Sequence, residues 1–229
     1  MRSISIGILL FPKLTQLDLT GPYEVFSRMP NTEVHLIWKT ADPIISDKGL
    51  TILPTKTFKD CPRLNIICIP GGPGQVDLMN DTETLNFIKV KAEEVDLITS
   101  VCTGSLVLGA AGLLNGYKAT SHWASIDQLS LLGAIPVSER VVSDRNRITG
   151  AGVTSGIDFA LKIAADLFDE DIAKSIQLQM EYDPIPPFTS GSQHSASEKT
   201  VEFVKNNISA FQQKRMNATI NASKKLGLT

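Results

Sequence analysis

The chain has 229 residues, with 22 Lys plus Arg set against 24 Asp plus Glu for a formal net charge of −2. That length suits one α/β core without a metal or disulfide staple, and the lack of a basic surplus argues against a general electrostatic grip on nucleic acid. A hydrophobic fraction of 42% with 20% charged residues excludes a disordered chain, and no stretch approaches the ~18 uninterrupted apolar residues of a membrane span.

The start, Met1-Arg2-Ser3 followed by the apolar run Ile4–Phe11, superficially resembles a signal peptide. The run is short, Pro12-Lys13 follows at once, and no small-residue cleavage site comes next, so a buried strand is the better reading. Val34–Trp38, Asn65–Ile69 and Asp96–Val101 have the same short, β-branched, nearly continuous texture expected of strands covered on both faces. Helical patterns lie between and after them. Leu19–Met29 follows the N-cap candidates Asp18 and Thr20, with Pro22 near its first turn. Thr82–Glu94, Thr103–Leu114 and Thr154–Phe168 each carry apolar residues at helical spacing. This alternation implies parallel strands joined by crossover helices: an α/β fold with a doubly wound, mostly parallel sheet flanked by helices.

Two interruptions read as hairpins, Ile44–Leu53 around Asp47-Lys48-Gly49 and Arg140–Thr149 around Asp144-Arg145-Asn146. Helix resumes through Asp169–Tyr182 and stops at Asp183-Pro184-Ile185-Pro186-Pro187-Phe188, which sets an extended segment. A C-terminal helix is expected from about residue 195, with Val201, Val204, Ile208 and Phe211 on one stripe and a basic end formed by Lys214, Arg215, Lys224 and Lys225. That stripe is expected to pack on the domain or on a second subunit. No repeat or dividing linker interrupts residues 1–229, so a single domain is the simpler account.

The chemistry concentrates in Ser100-Val101-Cys102-Thr103-Gly104-Ser105, where a buried strand ends at a cysteine and a helix of small residues begins. This is the pattern of a nucleophile elbow, which stands a side chain at the carboxyl end of the sheet. Gly104 and Gly109 would let the helix approach the sheet, and its N-terminus would favour thiolate over thiol. Cys68, mid-strand in Ile66-Ile67-Cys68-Ile69, reads as core, and Cys61 before Pro62 as a loop or edge residue. None of the three has metal-ligand spacing, and they read as thiols of a reducing, cytoplasmic compartment.

Ile69-Pro70-Gly71-Gly72-Pro73-Gly74 closes the preceding strand. It lacks both the Walker lysine and GxGxxG spacing, so a phosphate loop is excluded. It is either a tight strand exit or, beside a cysteine elbow, the source of an oxyanion donor from Gly72. Asp18, between leucines at a helix start, is either an N-cap or a carboxylate facing the same end of the sheet as Cys102, where it would act as general acid or base. His35 and His194 have no chemical partner in sequence, whereas His122 ends another strand within possible reach of Cys102.

Taken together these segments resemble the isocyanide hydratases of the PfpI/ThiJ superfamily, with a class-I glutamine-amidotransferase-like fold. The matching pieces are Gln16-Leu17-Asp18-Leu19-Thr20-Gly21-Pro22, Cys68-Ile69-Pro70-Gly71-Gly72, the run from Thr99 through Cys102 to Leu114, His122-Trp123, Gly156-Ile157-Asp158-Phe159-Ala160, and Glu181-Tyr182 with Pro186-Pro187-Phe188. They are collinear to about residue 192, and the tail beyond about 195 matches poorly. The resemblance implies hydration of R–N≡C to an N-substituted formamide through a thioimidate. In that reading Cys102 is the nucleophile, Asp18 the acid, and the Thr103 hydroxyl lies near Asp18. Gly72 and the Thr103 amide line the site, and the Val153 backbone touches the sulfur. It also implies no metal or organic cofactor, a small-molecule isocyanide as partner, and a homodimer. The chain departs from the pattern at Ala151, where glycine is expected, and at Val153, where isoleucine is expected.

Four other readings are weighed against the residues. Peptidases of the superfamily place histidine after the nucleophile, where this chain has Thr103. Glyoxalases and deglycases tend to use glutamate in place of Asp18. A redox sensor would need an accessible Cys102 of low pKa. Related transcription regulators append a helix-turn-helix region, for which 229 residues leave no room.

Overall fold

The structure, a computed structural model, describes residues 3–228. Met1 and Arg2, part of the leader-like start, lie outside the described residues. In chain order the elements begin with β1 (Ile4–Leu9), α1 (Gln16–Phe26), β2 (Thr32–Trp38), the pair β3 (Ile44–Ile45) and β4 (Thr51–Ile52), β5 (Lys56–Thr57) and β6 (Ile66–Ile69). Then come α2 (Gln75–Leu78), α3 (Thr82–Glu94), β7 (Leu97–Val101) and α4 (Gly104–Ala110). The remainder is β8 (Lys118–Ala119), a 3₁₀ helix (Trp123–Leu132), β9 (Ile135–Pro136), β10 (Val141–Asp144), β11 (Arg147–Gly150), α5 (Ser155–Leu167), α6 (Glu170–Gln179) and α7 (Glu198–Lys225).

Seven strands form the central sheet in the order β10-β11-β7-β6-β1-β2-β5, and every neighbouring pair is parallel except β10–β11. The β-branched texture of β1 and β6 follows from burial: Ile6, Ile8, Ile66 and Ile69 have no exposed surface. Two groups of helices flank the sheet, α1 with α5 and α6, and α2, α3 and α4 with the 3₁₀ helix and α7. From β1 the chain builds outward through β2 and β5, then returns to β6 on the other side of β1 and continues through β7 to β11. The reversal falls between β1 and β6. In open α/β sheets the crevice for a ligand lies at that point, outside the carboxyl ends of the strands.

Both hairpins form where the turn residues place them, β3–β4 and β10–β11, each antiparallel. Two expectations about helices need correction. The helix carrying Asp18 begins at Gln16 instead of Leu19, so Asp18 is not a cap but lies in the first turn, and Pro22 sits inside the helix. The start is set from a distance: Thr15, the residue before the helix, donates its N–H to Gly71 O at 3.0 Å and makes no side-chain cap bond. The α4 helix ends at Ala110, four residues short of Leu114, because Gly112 turns left-handed at φ 75° and breaks the ladder. Gly104 does allow close approach to the sheet, since a Cβ there would run into Ile69 O, whereas Gly109 faces Leu132 of the 3₁₀ helix.

Candidate active site

Cys102 follows the last residue of β7 and precedes α4. It adopts φ 57°, a left-handed conformation that a non-glycine residue takes only when its surroundings enforce it. Here the enforcement is visible. The Cys102 N–H donates to Gly150 O at 3.0 Å on one neighbouring strand, and the carbonyl accepts from the Ser105 and Ser121 hydroxyls, each at 3.1 Å. The elbow read from the sequence is therefore present, and its sulfur side chain is 5% exposed.

Asp18 reaches the same end of the sheet from α1 and is fully buried. Its Oδ2 accepts the Gly71 N–H at 2.9 Å, and Oδ1 is buried with no hydrogen-bond partner among the described residues. The Cys102 thiol is the neighbouring group that interacts with this carboxyl. Gly71 must be glycine for the arrangement to close: a Cβ there would stand 2.6 Å from Thr103 N and 2.8 Å from Asp18 Oδ2. The next amide, Gly72 N–H, donates to Thr103 Oγ1 at 3.1 Å. The donor that the sequence assigned to an oxyanion is thus already engaged by a side chain of the site.

Burial dominates the electrostatics. It raises the Asp18 carboxyl to about 7, against the opposing pull of the Gly71 N–H and the thiol. Burial, then the adjacent Asp18 charge, pushes the Cys102 thiol well above the ordinary thiol range. The Thr103 N–H and the charge of Arg215 favour the thiolate but do not prevail. This corrects the expectation of a resting thiolate: a seven-residue helix N-terminus does not outweigh desolvation beside a carboxylate. Cys68 is core, as expected, with its thiol pushed up to about 12 by burial. Cys61 is half-buried at a loop, its thiol directed to Pro62 O at 3.4 Å.

The thiol opens onto a cavity of about 380 Å³ whose lining includes Thr103, Gly72, Val153 and His122. His122 is near the nucleophile, as its position suggested, but burial and Arg215 lower it to about 4, so the ring is neutral at physiological pH. Its Nδ1 accepts the Ala124 N–H at 3.3 Å, which leaves Nε2 as the protonated nitrogen and a donor. His122 and Val153 also line a second cavity of about 380 Å³, which Ala151 and His194 border. His35 lies far from this chemistry, in β2 with Nε2 on Ser5 Oγ at 3.2 Å. Among the described residues no group of three or more His, Cys, Asp or Glu side chains is placed to hold a metal ion, and no helix is long and apolar enough to cross a membrane.

Sequence reasoning missed one wall of the cavity. Ile208, Phe211, Gln212 and Arg215 of α7 line it together with Cys102. Their i, i+3, i+4, i+7 spacing puts them on one helical face. The sequence reading puts Ile208 and Phe211 on a packing stripe and Arg215 in a basic end, yet Arg215 is 7% exposed. The available signal was an arginine falling in register with an apolar stripe.

A profile of the DJ-1/PfpI family matches residues 4–166, which include Asp18, Gly71, Cys102 and Val153. The chain belongs to the DJ-1/PfpI family. Among DJ-1/PfpI relatives, it is 51% identical over 226 residues to an isonitrile hydratase from Pseudomonas putida, covering 99% of each chain. That similarity runs on through α7, so the tail is shared with this relative even though the short motifs stop before it. The HTH-type transcriptional regulator GbdR from Pseudomonas aeruginosa is 27% identical over 190 residues, covering 79% of this chain and 51% of the regulator. Among solved DJ-1/PfpI structures, a ThiJ/PfpI family protein from Pseudomonas syringae superposes with a TM-score of 0.93 at 45% identity, covering 96% of this chain and 91% of that one. The mostly parallel sheet flanked by helices is the fold of this family.

Proposed function

We propose that the protein hydrates isocyanides to N-substituted formamides, with Cys102 as nucleophile and Asp18 as the group that moves protons. The observation that carries the reading is the Asp18–Cys102 pair, two buried acids in contact with one proton to exchange, in a chain 51% identical to an isonitrile hydratase. A carboxylate with a pKa of about 7 is ionised often enough near neutral pH to accept the thiol proton, and basic enough to keep it briefly.

In the first step the proton passes from Cys102 Sγ to Asp18 and the thiolate adds to the terminal carbon of R–N≡C. That carbon then takes the proton from Asp18, giving the thioimidate R–N=CH–S–Cys102. Water adds across the C=N bond to form R–NH–CH(OH)–S–Cys102. Collapse expels the sulfur, releases R–NH–CHO and returns a proton to the Asp18–Cys102 pair. The sum is one isocyanide and one water to one formamide, with no redox change and no cofactor. Thr103 serves by its amide, aimed at the sulfur, and by its hydroxyl, which the Gly72 N–H holds in place. Val153 lines the cavity on the side of β11 and α5. The reading includes a small-molecule substrate, a single domain, a homodimer and a cytoplasmic location.

Acid quenching during turnover with phenyl isocyanide, followed by intact-protein and peptide mass spectrometry, tests the covalent step. The expected result is a mass gain equal to the whole isocyanide on the peptide bearing Cys102. Turnover with no adduct on that peptide, in a quench fast enough to catch it, would overturn the covalent route.

A further inference from the structure

The cavity holds a buried cation that the proposed chemistry does not use. Arg215 projects from α7 into the wall shared with Cys102, and it is 7% exposed. Burying a guanidinium is unfavourable unless a counter-charge accompanies it. None does here: among the described residues no carboxylate forms an ion pair with Arg215. The groups that hold it are neutral. Nε donates to Gln75 Oε1 at 2.8 Å, Nη1 donates to Ser125 Oγ at 3.2 Å, and the guanidinium lies over the Phe211 ring, 4.8 Å from its centroid. These contacts fix the plane of the fork and leave Nη2 without a protein hydrogen bond among the described residues. Arg215 lines the cavity, and Nη2 is not sealed from it by a protein partner among the described residues.

The other charged groups on this cavity do not neutralise it. Asp47 lines the cavity too, but among the described residues it forms no ion pair or hydrogen bond with Arg215. His122, beside it, is neutral. The Cys102 thiolate would act favourably on Arg215, but burial keeps that group protonated at rest. Ile208, Phe211 and Val153 supply the apolar remainder of the lining. A fixed, unpaired cation above an apolar wall suits a ligand with an apolar body and an anionic end.

We infer that Arg215 is a specificity residue that pairs with a carboxylate on the substrate, so that the preferred isocyanides carry an anionic group beyond the reacting N≡C. This rests on the hydratase reading for the word isocyanide, but not for the anion site itself, and the experiment separates the two.

The probes are iodoacetate and iodoacetamide, which alkylate the same sulfur and differ in charge. Their rate ratio on Cys102 at pH 8 is compared with the ratio on N-acetylcysteine amide. The expected ratio is about tenfold or more in favour of iodoacetate relative to that free thiol, the scale of a charged hydrogen bond. Arg215→Gln returns the ratio to the free-thiol value, and Arg215→Lys keeps part of it. An unchanged ratio in Arg215→Gln overturns the proposal, since losing a cation that serves only the thiolate would slow both reagents alike. Should Arg215→Gln not fold, the wild type suffices: benzoate protects Cys102 from iodoacetamide and benzamide at equal concentration does not, and equal protection overturns the site. The same preparation is then assayed on 4-isocyanobenzoate and phenyl isocyanide, with kcat/KM expected to be about tenfold higher for the acid. Retained iodoacetate selectivity with no formamide from either compound would sink the hydratase reading and leave the anion site standing. Equal kcat/KM for the two compounds would sink Arg215 as a specificity residue and leave hydration standing.

Discussion

At the scale of single residues the site is a contest between burial and charge. Asp18 and Cys102 are both held toward their protonated forms because water is excluded, and the Gly71 N–H and Thr103 N–H only temper this. The consequence for activity has a definite sign. The base form of Asp18 must be present to take the thiol proton, so kcat/KM is expected to rise with pH through about 7 to a plateau. Asp18→Asn should lose ~100-fold or more and lose that inflection, measured as initial rates between pH 5 and 9 (about the range of ordinary buffers). A wild-type profile without an inflection near 7 would contradict the assignment. The same group weakens the fold. Its folded pKa of about 7 lies above its unfolded value of 3.8, so its stabilising protonation is complete below the lower value and lost as pH rises through the upper one. Asp18→Asn should therefore raise the melting temperature at pH 8 much more than at pH 4, an activity group that costs stability where the enzyme works.

At the scale of elements, three helices carry the site, and the sequence revealed them unequally. The α4 start and the β7 end were legible because the elbow is local: a buried run, a cysteine, then small residues. The local sequence leaves Asp18 open between an N-cap and a catalytic carboxylate, because Gly71, whose N–H it accepts, is 53 positions away and fixes the start of α1 through Thr15 as well. Arg215 was not legible, because its anchor Gln75 is 140 positions away. A lysine- and arginine-rich helix end reads as solvated until its neighbours are known. The α1 helix is held in register by α5, where Gly156 meets the Pro22 ring: a Cβ on Gly156 would lie 2.9 Å from Pro22 Cδ and 3.5 Å from Val101 Cγ1. A proline ring cannot swing aside. Gly156→Ala is therefore expected to destabilise the protein by about 1–3 kcal/mol despite alanine's better helix propensity. A urea titration checks this, and an unchanged or higher midpoint would show that α5 shifts freely against α1.

At the scale of the whole molecule, the strand order matters more than any one side chain. Because the chain reverses between β1 and β6, the segments after β1, β6 and β7 open to one crevice, and they deliver Asp18, Gly71 with Gly72, and Cys102 with Thr103. Alternation of apolar runs and helical patterns was enough to read the parallel sheet, since each strand advertises its own burial. The far wall was hidden because it comes from α7, which lies beyond the 4–166 span of the family profile and closes the cavity by tertiary contact alone. Hydration at this crevice, as proposed, depends on the Cys102 sulfur. The most direct test is formanilide production from phenyl isocyanide by the reduced wild type and by Cys102→Ala, each shown to be folded. Steady turnover is expected from the wild type and none above background from Cys102→Ala. Equal turnover by both, or none by either, would contradict the proposal.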